Sequence, residues 1–458
     1  MKVRIEKDSM GIIEVPLLAK WGAQTQRALL NFPISGWPMP EVFIRVLGLI
    51  KYCAAQANKD LELIDSSIAD AILIISKEIY KGFHFNEFPI DVFQTGSATS
   101  SNMNANEVIS HLVKERLNLT AHPNDHVNMS QSSNDTIPAV IAIATVLDGV
   151  KTLLPALDHL QKAIDRRADE LKKVTKTGRT HLMDALPLTF GQELSGWSAQ
   201  LGTVKHAIQN AIELCKDLPI GGTAIGTGLN AHPSFAEHFI ECLNAETNLT
   251  FKKGENFFEL MSAQDRIVSF SGQLKMLACC LMKIANDLRW MNSGPLAGFS
   301  EIALPSLQPG SSIMPGKVNP VIPESCAMVC AHVIGSDLTV TMAGQSGNFQ
   351  LNVMLPLIAY HVLENMRLLS NTCINLADKA IDGFVVHYEQ VEAAFAKNPI
   401  LVTALNRKIG YELGAVIAKE ALEQERSVLD VALEKTALTK EELIEILDPY
   451  HLTKGGLN

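Results

Sequence analysis

The sequence predicts a mainly α-helical protein organised around a bundle of long helices. Two apolar seams and a shortage of strand signals predict it. Ile267, Phe270, Leu274, Leu277, Leu281, Ile284 and Leu288 are spaced alternately three and four residues apart, which sets them on one stripe of a single helix. Leu153, Leu157, Leu160, Ile164, Ala168 and Leu171 repeat the pattern. Period-two alternation is weak and confined to the stretch from Val3 to Val15. Seams of near-heptad spacing favour a bundle.

Taken in order, the chain first shows a polar run, Gln94 to Glu107, leading into a helix expected to begin near Asn106, with one small residue of the run as its N-cap. The apolar run Ile137 to Leu147 reads as a helix far too short to span a bilayer. The 153–171 helix is followed by Lys172, Lys173, Lys176 and the stop residue Gly178, which leaves Gly178–Ala185 as a loop between two long helices. Gly221–Gly228 is a turn-rich junction. A dinucleotide fingerprint would need a strand before it, and none is predicted. After the 267–288 seam, helices are expected from about 322 to 341 and from about 357 to 376. The first carries little charge beyond Glu324 and Asp337, so most of its surface must be covered. From about Tyr388 the chain becomes more charged, with shorter amphipathic stretches such as Gly414–Leu422 and Lys440–Leu447. A length of 458 residues fits three domains, expected at 1–131, 132–388 and 389–458.

Hydrophobic residues make up 47% of the chain and charged residues 19%, which fits a large interior or an oligomer that buries much of its surface. A net charge of −10 with no basic stripe argues against a nucleic-acid partner. It leaves an anionic substrate open, because a few placed cations decide the local potential. The eight cysteines are scattered without a Cys-x-x-Cys pair; Cys326 and Cys330, four apart, read as small buried residues on one helix face. Free thiols and an N-terminus without an apolar targeting segment point to a soluble cytoplasmic protein with no membrane partner.

The segment richest in chemistry is Gly310-Ser311-Ser312-Ile313-Met314-Pro315-Gly316-Lys317-Val318-Asn319-Pro320. Its glycines and prolines exclude regular structure, so it reads as a mobile loop carrying a proton-transfer group beside an anion clamp. It is not a phosphate loop: five residues separate its glycines, and Val318 follows the lysine where a hydroxyl would hold magnesium.

Three further clusters accompany the loop. The run from Gln94 to Glu107 offers uncharged donors suited to a small polyanion. His122-Pro123-Asn124-Asp125-His126 is followed by Ser130 to Asp135; the spacing matches no zinc pattern, and Ser132-Ser133-Asn134 before an apolar helix fits carboxylate binding and plain capping equally. Gly178-Arg179-Thr180-His181 offers an imidazole suited to acid–base work near neutral pH. Glu324, at the start of the nearly uncharged helix, fits a partner for a histidine and fits equally a first-turn carboxylate on the helix dipole. Hydroxyls, amides, one lysine, one histidine and one carboxylate suit proton abstraction beside a carboxylate, with Lys317 and Asn319 steadying an enediolate-like intermediate. A serine serves as base only if N–H groups and the lysine stabilise its alkoxide.

The same loop resembles the signature of the fumarase/aspartase superfamily. Trp21–Arg27, His122–Asn128, Ser130–Asp135, Gly178–Asp184, Gly221–Gly228 and Ser346–Asn352 resemble the other blocks of class II fumarases, in the same order over nearly the whole chain. The resemblance implies a three-domain, mainly α subunit whose central long-helix bundle forms a twenty-helix tetramer core. Active sites would be shared between subunits of the homotetramer. It implies reversible anti addition of water to fumarate, a small dicarboxylate, giving (S)-malate in the tricarboxylic acid cycle, with no metal or organic cofactor. Ser311 would be the base for the C3 proton, and His181, oriented by Glu324, the second acid–base group. Substrate contacts would come from Ser97, Ala98, Thr99, Ser132, Ser133, Asn134, Thr180, Ser312, Lys317, Val318 and Asn319. His122, Pro123, Asn124 and Asp125 match a secondary dicarboxylate site.

The chain departs from the family pattern in four places. Ala98 replaces a usual Gly, Met129 a frequent Lys and Leu296 a frequent Arg, and the basic residue usual before His122 is missing. These departures touch the secondary site more than the catalytic one. Aspartate ammonia-lyase is the nearest rival, but such enzymes usually carry Ser-Thr-Asn-Asp where this chain has Ser132-Ser133-Asn134-Asp135. A non-catalytic, crystallin-like role fits poorly with retention of Ser311, His181, Lys317 and Glu324 together.

Overall fold

The computed structural model describes residues 2–456. The chain opens with a hairpin of β1 (Val3–Asp8) and β2 (Gly11–Pro16), then α1 (Ala23–Asn31), α2 (Glu41–Asp60), α3 (Ser66–Tyr80) and α4 (Thr99–Leu117). Helix α5 (Ser133–Asp148) passes through a π-helical turn into α6 (Leu154–Glu170). A second hairpin, β3 (Thr175–Thr180) and β4 (Met183–Thr189), leads into α7 (Phe190–Leu214). Then come α8 (Phe235–Thr247), α9 (Phe257–Ser262), α10 (Asp265–Met291), α11 (Val321–Gly344) and α12 (Leu355–Leu376). The C-terminal helices are α13 (Tyr388–Ala396), α14 (Asn406–Ile409), α15 (Tyr411–Glu423), α16 (Val428–Lys435), α17 (Lys440–Ile446) and α18 (Pro449–Leu452). The remaining strands are two-residue ladders.

The chain divides into two compact units. The first comprises Met1–Pro155, Val204–Ala278 and Ala331–Ser370. Helix α2 is central to it and packs on α3, α5 and α8. Its entry is fixed by one carboxylate: Glu107 of α4 accepts the N–H groups of Gly22, Gln24 and Thr25 and the Thr25 hydroxyl, all within 3.0 Å. Those are the orphan donors at the start of α1, so Glu107 caps a helix start 82 to 85 residues away in sequence. The Trp21–Arg27 block keeps its shape for that reason.

The second unit comprises Ala156–Thr203, Cys279–Cys330 and Asn371–Asn458. Its C-terminal part has its own core, in which Leu401, Leu405, Ile417, Val431 and Leu443 are buried. The amphipathic stretches expected there are α15 and α17.

All seven residues of the 267–288 seam are buried on α10, and α11 and α12 fall close to the expected bounds. Three expectations need correction. Helix α4 starts at Thr99, not near Asn106, because the polar residues from Ser101 to Glu107 are buried and paired inside the unit instead of capping from outside. The segment after Lys173 is the β3–β4 hairpin and not a loop; Gly178 is there because a Cβ would lie 2.6 Å from the carbonyl oxygen of Leu186 on the partner strand. The Ile137–Leu147 run belongs to one continuous helical stretch, Ser133–Glu170, which is long and apolar enough by composition to cross a bilayer, as are α10 and α11. Most of its apolar window is buried within the chain.

Helix α11 is covered differently. A stripe of Cys326, Cys330, Val333, Ser336, Asp337, Val340 and Ala343 is buried, but Met328, Ile334, Leu338 and Met342 are exposed, Met328 at 68% and Leu338 at 64%. The cover that its composition demands is only partly supplied by its own chain.

Candidate active site

In the first unit, the segment Ser97-Ala98-Thr99 sits at the start of α4. Gly96 is pressed against the chain at Val353, whose carbonyl oxygen would lie 1.9 Å from an added Cβ, and its own carbonyl accepts the N–H of Leu355. Ala98 caps α4 in the left-handed region at φ 53°. Glycine takes that conformation without cost, which accounts for the family preference at this position. The Ser97 and Thr99 hydroxyls pair at 2.8 Å.

Ser132 is the N-cap of α5 within a capping box: its hydroxyl accepts from Asn134 N–H, and Asp135 accepts from Ser132 N–H at 2.9 Å. Asp135 is fully buried and also accepts the N–H groups of Gly221 and Thr223 at 3.2 and 2.8 Å. The Asn134 amide donates to Ala224 O at 2.8 Å. The glycine-rich junction is thereby tied to the turn that carries Ser132, Ser133 and Asn134. Burial nevertheless pushes the Asp135 pKa up to about 6.

A second buried charge lies on the other flank. Lys51 of α2 donates to Asn128 Oδ1 at 3.1 Å and Gln131 Oε1 at 2.9 Å. Burial pushes its pKa down to about 7, against a smaller opposing pull from Asp135. Lys51 was not singled out in the sequence. Its signal is a lone lysine on the apolar stripe of α2, four residues after Leu47 and three before Ala54.

In the second unit, Thr180 and His181 lie at the tip of the β3–β4 hairpin. Thr180 pairs with Met183, so His181 and Leu182 form the two-residue loop, at φ 57° and 61°. Such turns favour Asn-Gly; a histidine and a leucine in the left-handed region cost about 1 kcal/mol each. The hairpin is braced near its tip. Arg179 pairs with Glu301 at 2.8 Å, and the buried Lys176 bridges Glu193 and Glu301 at 2.6 and 2.8 Å. The brace holds the strained turn, and the His181 side chain is exposed.

The Gly310–Pro320 loop has no helix or strand, as expected. Gly310 N–H donates to Lys317 O at 2.7 Å and the Asn319 amide donates to Gly310 O at 2.7 Å, closing the neck of the loop. Inside it, Ser311 Oγ accepts the N–H groups of Ile313 at 3.2 Å and Met314 at 3.0 Å. Lys317 Nζ donates to Asn319 Oδ1 at 2.6 Å. Ser312 and Val318 are exposed. One side of the loop, with Ser311 and Met314, lines a recess of about 500 Å³. Lys317, Val318, Asn319 and Glu324 line a larger cleft of about 800 Å³. Arg289, His387, Asn286 and Asn292 line that cleft too and were missed, because Asn286, Arg289 and Asn292 read as the polar side and end of the helix that carries the 267–288 seam, and His387 lies far from them in sequence.

Glu324 lies in the first turn of α11, half-buried, and its carboxylate has no hydrogen bond or ion pair among the described residues. The His181 ring has none either. The two are not paired within one chain.

His122 caps a π-helical turn: its Nδ1 accepts from Asn124 and Asp125 N–H and lies 3.2 Å from the Asp125 carboxylate. His122, Asn124 and Asp125 are exposed, and Pro123 is half-buried. Among the described residues no group of three or more His, Cys, Asp or Glu is arranged to hold a metal ion. Cys326 and Cys330 are free thiols on the buried stripe of α11, their sulfurs 4.0 Å apart.

Residues 11–335 match the lyase family model, which defines the class. Residues 401–454 match the model of the fumarase C C-terminus. A class II fumarate hydratase of Xylella fastidiosa is 55% identical over 457 residues, covering 100% of this chain and 97% of that protein. A class II fumarate hydratase of Pseudomonas aeruginosa is 54% identical, with 99% of each covered. Among solved structures, the recombinant class II fumarase of Schistosoma mansoni superposes with a TM-score of 0.95 at 37% identity, with 99% of each chain covered. The chain belongs to the class II fumarase family of lyases.

The strained hairpin gives a prediction. Leu182→Gly removes one left-handed side chain and should stabilise the protein by about 1 kcal/mol, raising the melting temperature by a few degrees. An unchanged or lowered melting temperature would show that the turn carries no strain at this residue.

Proposed function

We infer that the protein is a fumarate hydratase, interconverting fumarate and (S)-malate by anti addition of water. The observation that carries the mechanism is the pair of N–H groups, from Ile313 and Met314, directed at Ser311 Oγ. A serine hydroxyl is a poor base in water, but an alkoxide held by two N–H donors beside a lysine is a competent one.

In the dehydration direction Ser311 takes the C3 proton of malate. The C3 electron pair moves into the adjacent carboxylate, and Lys317 and Asn319 hold the doubly charged group that results. The C3–C4 enediolate then collapses to the C2–C3 double bond as the C2–O bond breaks, and hydroxide leaves with a proton as water. His181 handles water on that face, with Glu324 as its orienting carboxylate. Ser132, Ser133, Asn134, Thr180, Ser312, Val318 and the Ser97–Thr99 segment complete the dicarboxylate pocket. His122 to Asp125 form a secondary dicarboxylate site, with Asp125 beside His122 weakening it.

The active form is a homotetramer with sites shared between subunits. Two features support this. His181 and Glu324 are both without a partner in their own chain, and α11 has an uncovered apolar face. Each chain supplies five long helical runs: the α5–α6 stretch, α7, α10, α11 and α12. Four copies bring these to the twenty helices of the family core. Copies of the chain fit this face better than lipid does, because Lys275, Lys283 and Arg289 emerge along the exposed side of the adjoining apolar helix α10. The three domains expected from the sequence, 1–131, 132–388 and 389–458, are kept as the proposed organisation of the subunit.

The test is direct. The purified protein should convert malate to fumarate, followed by fumarate absorbance, and leave aspartate unchanged. Ser311→Ala should lower kcat by at least about a thousandfold without changing the oligomeric state. Turnover of aspartate and not malate would overturn the hydratase reading, and substantial activity in Ser311→Ala would remove that residue as base.

A further inference from the structure

We propose that Glu301 is a positioning residue for the reaction. Its carboxylate fixes where the His181 imidazole stands, by holding the β3–β4 hairpin at two points across a break in its own ladder. The proposal rests on the reading of His181 as an acid–base group.

The His181 ring makes no hydrogen bond among the described residues, so its place is set by the backbone that carries it. That backbone is a poor support by itself. Both turn residues are left-handed, and the β3–β4 register slips between Thr177 and Arg179. Only the pairs Arg179–Asp184 and Thr180–Met183 lie between the slip and the tip. On β4 the Asn398 amide donates to Ala185 O at 2.9 Å, which lies at the slip and short of the tip.

The slip has a use. In a regular strand residues three apart point to opposite faces. The irregularity at Gly178 turns Lys176 and Arg179 to one side, where one carboxylate meets both. Arg179 Nη1 donates to Glu301 Oε1 at 2.8 Å, and Lys176 Nζ forms an ion pair with Glu301 Oε2 at 2.8 Å. A single contact would leave the tip free to pivot about the slip; two contacts, one on each side, fix its direction. Glu301 is itself anchored and buried. Its N–H donates to Met291 O at 2.8 Å, at the end of α10, and its carbonyl accepts the His387 N–H at 2.9 Å. Ser300, Ile302 and His387 line the large cleft, so the carboxylate reaches from the cleft wall to the strand that ends in Thr180 and His181.

The surroundings separate this from a purely structural role. Lys176 has a second carboxylate, Glu193 at 2.6 Å, and the Arg179 guanidinium lies over the Phe299 ring at 4.3 Å. Neither cation is stranded when Glu301 loses its charge; what goes is the hold across the slip. An acid–base group must stand within about half an ångström of its productive place. The loss therefore falls on chemistry, since of the proposed substrate contacts only Thr180 lies on the hairpin.

The test compares malate turnover with calorimetric binding of succinate, a dicarboxylate with no hydroxyl or double bond to react. Glu301→Gln keeps the shape and one acceptor, and sets an NH2 against one of the two cations. It should lower kcat by about ten- to a hundredfold. Succinate should still fill every site, with Kd and the KM for malate within about threefold of the unsubstituted protein. Arg179→Met removes one of the two contacts, leaves Glu301 paired with Lys176, and should show the same split; it carries the test if Glu301→Gln does not fold. An unchanged kcat in either folded variant would overturn the proposal, as would a fall in kcat matched by an equal fall in succinate sites. His181→Ala is measured alongside. If it turns malate over at the full rate, the reading of His181 falls and takes the proposal with it; if it is inactive while Glu301→Gln is fully active, the proposal alone is overturned.

Discussion

The uncovered apolar face of α11 is the constraint on which the rest of the structure depends. Met328, Ile334, Leu338 and Met342 stand in water on a helix that is nearly uncharged along its length. Burying an exposed side chain of this size fully is worth about 1.5–3 kcal/mol, and these four are between 37% and 68% exposed, so covering them contributes a fraction of that each, on the order of several kcal/mol per chain. In the proposed tetramer that surface is covered by other copies of the chain. The same helix follows the Gly310–Pro320 loop and carries Glu324 in its first turn, so in the proposed tetramer the contacts that cover α11 also decide what Glu324 and Lys317 come to face. Assembly and site formation are one event under this account.

Within each unit the candidate site side chains are held by contacts of their own chain. Buried carboxylates are the main device. Glu107 gathers four donors at the start of α1, and Asp135 gathers the turn of α5 and the glycine-rich junction. Each accepts charge-assisted hydrogen bonds, which contribute more than neutral ones and fix direction as well as distance. The hairpin tip uses a different device. The Arg179–Glu301–Lys176 brace holds His181 and Leu182 in a left-handed turn that neither side chain favours. Ser311 is treated the same way on a smaller scale, with two N–H groups already aimed at its oxygen. Preorganisation of this sort spares the reaction the cost of ordering donors at the moment charge develops.

Much of this was legible in the sequence where periodicity or punctuation governs. The seam from Ile267 to Leu288 marked α10 because helix period and burial coincide there. The glycines and prolines of 310–320 excluded regular structure because backbone geometry forbids it. The early start of α4 was not legible: Asn102 and Asn104 read as donors in a polar run ahead of a helix starting near Asn106, and only tertiary pairing makes them interior residues of the helix. The β3–β4 hairpin escaped notice for a related reason, since a two-residue turn of His181 and Leu182 has none of the Gly or Asn that announces such turns. Lys51 was hidden by being a single charge in an apolar helix. Arg289 and His387, which line the cleft beside Lys317, stand far apart in sequence and are joined only by the fold. The separation of His181 from Glu324 within one chain belongs to the same class, because distance in sequence does not say which side chains the fold brings together.

The central claim is that a complete site takes His181 from one subunit and Ser311 from another. Mixed oligomers test it most directly. Ser311→Ala and His181→Ala proteins, each inactive alone, would be co-expressed or dissociated and reassembled together, and malate turnover measured. Shared sites predict that the mixture regains activity, with about a quarter of the sites in a random equal mixture carrying both intact residues. If no mixture regains activity while both variants assemble normally, His181 and Ser311 act within a single chain, and the account is contradicted.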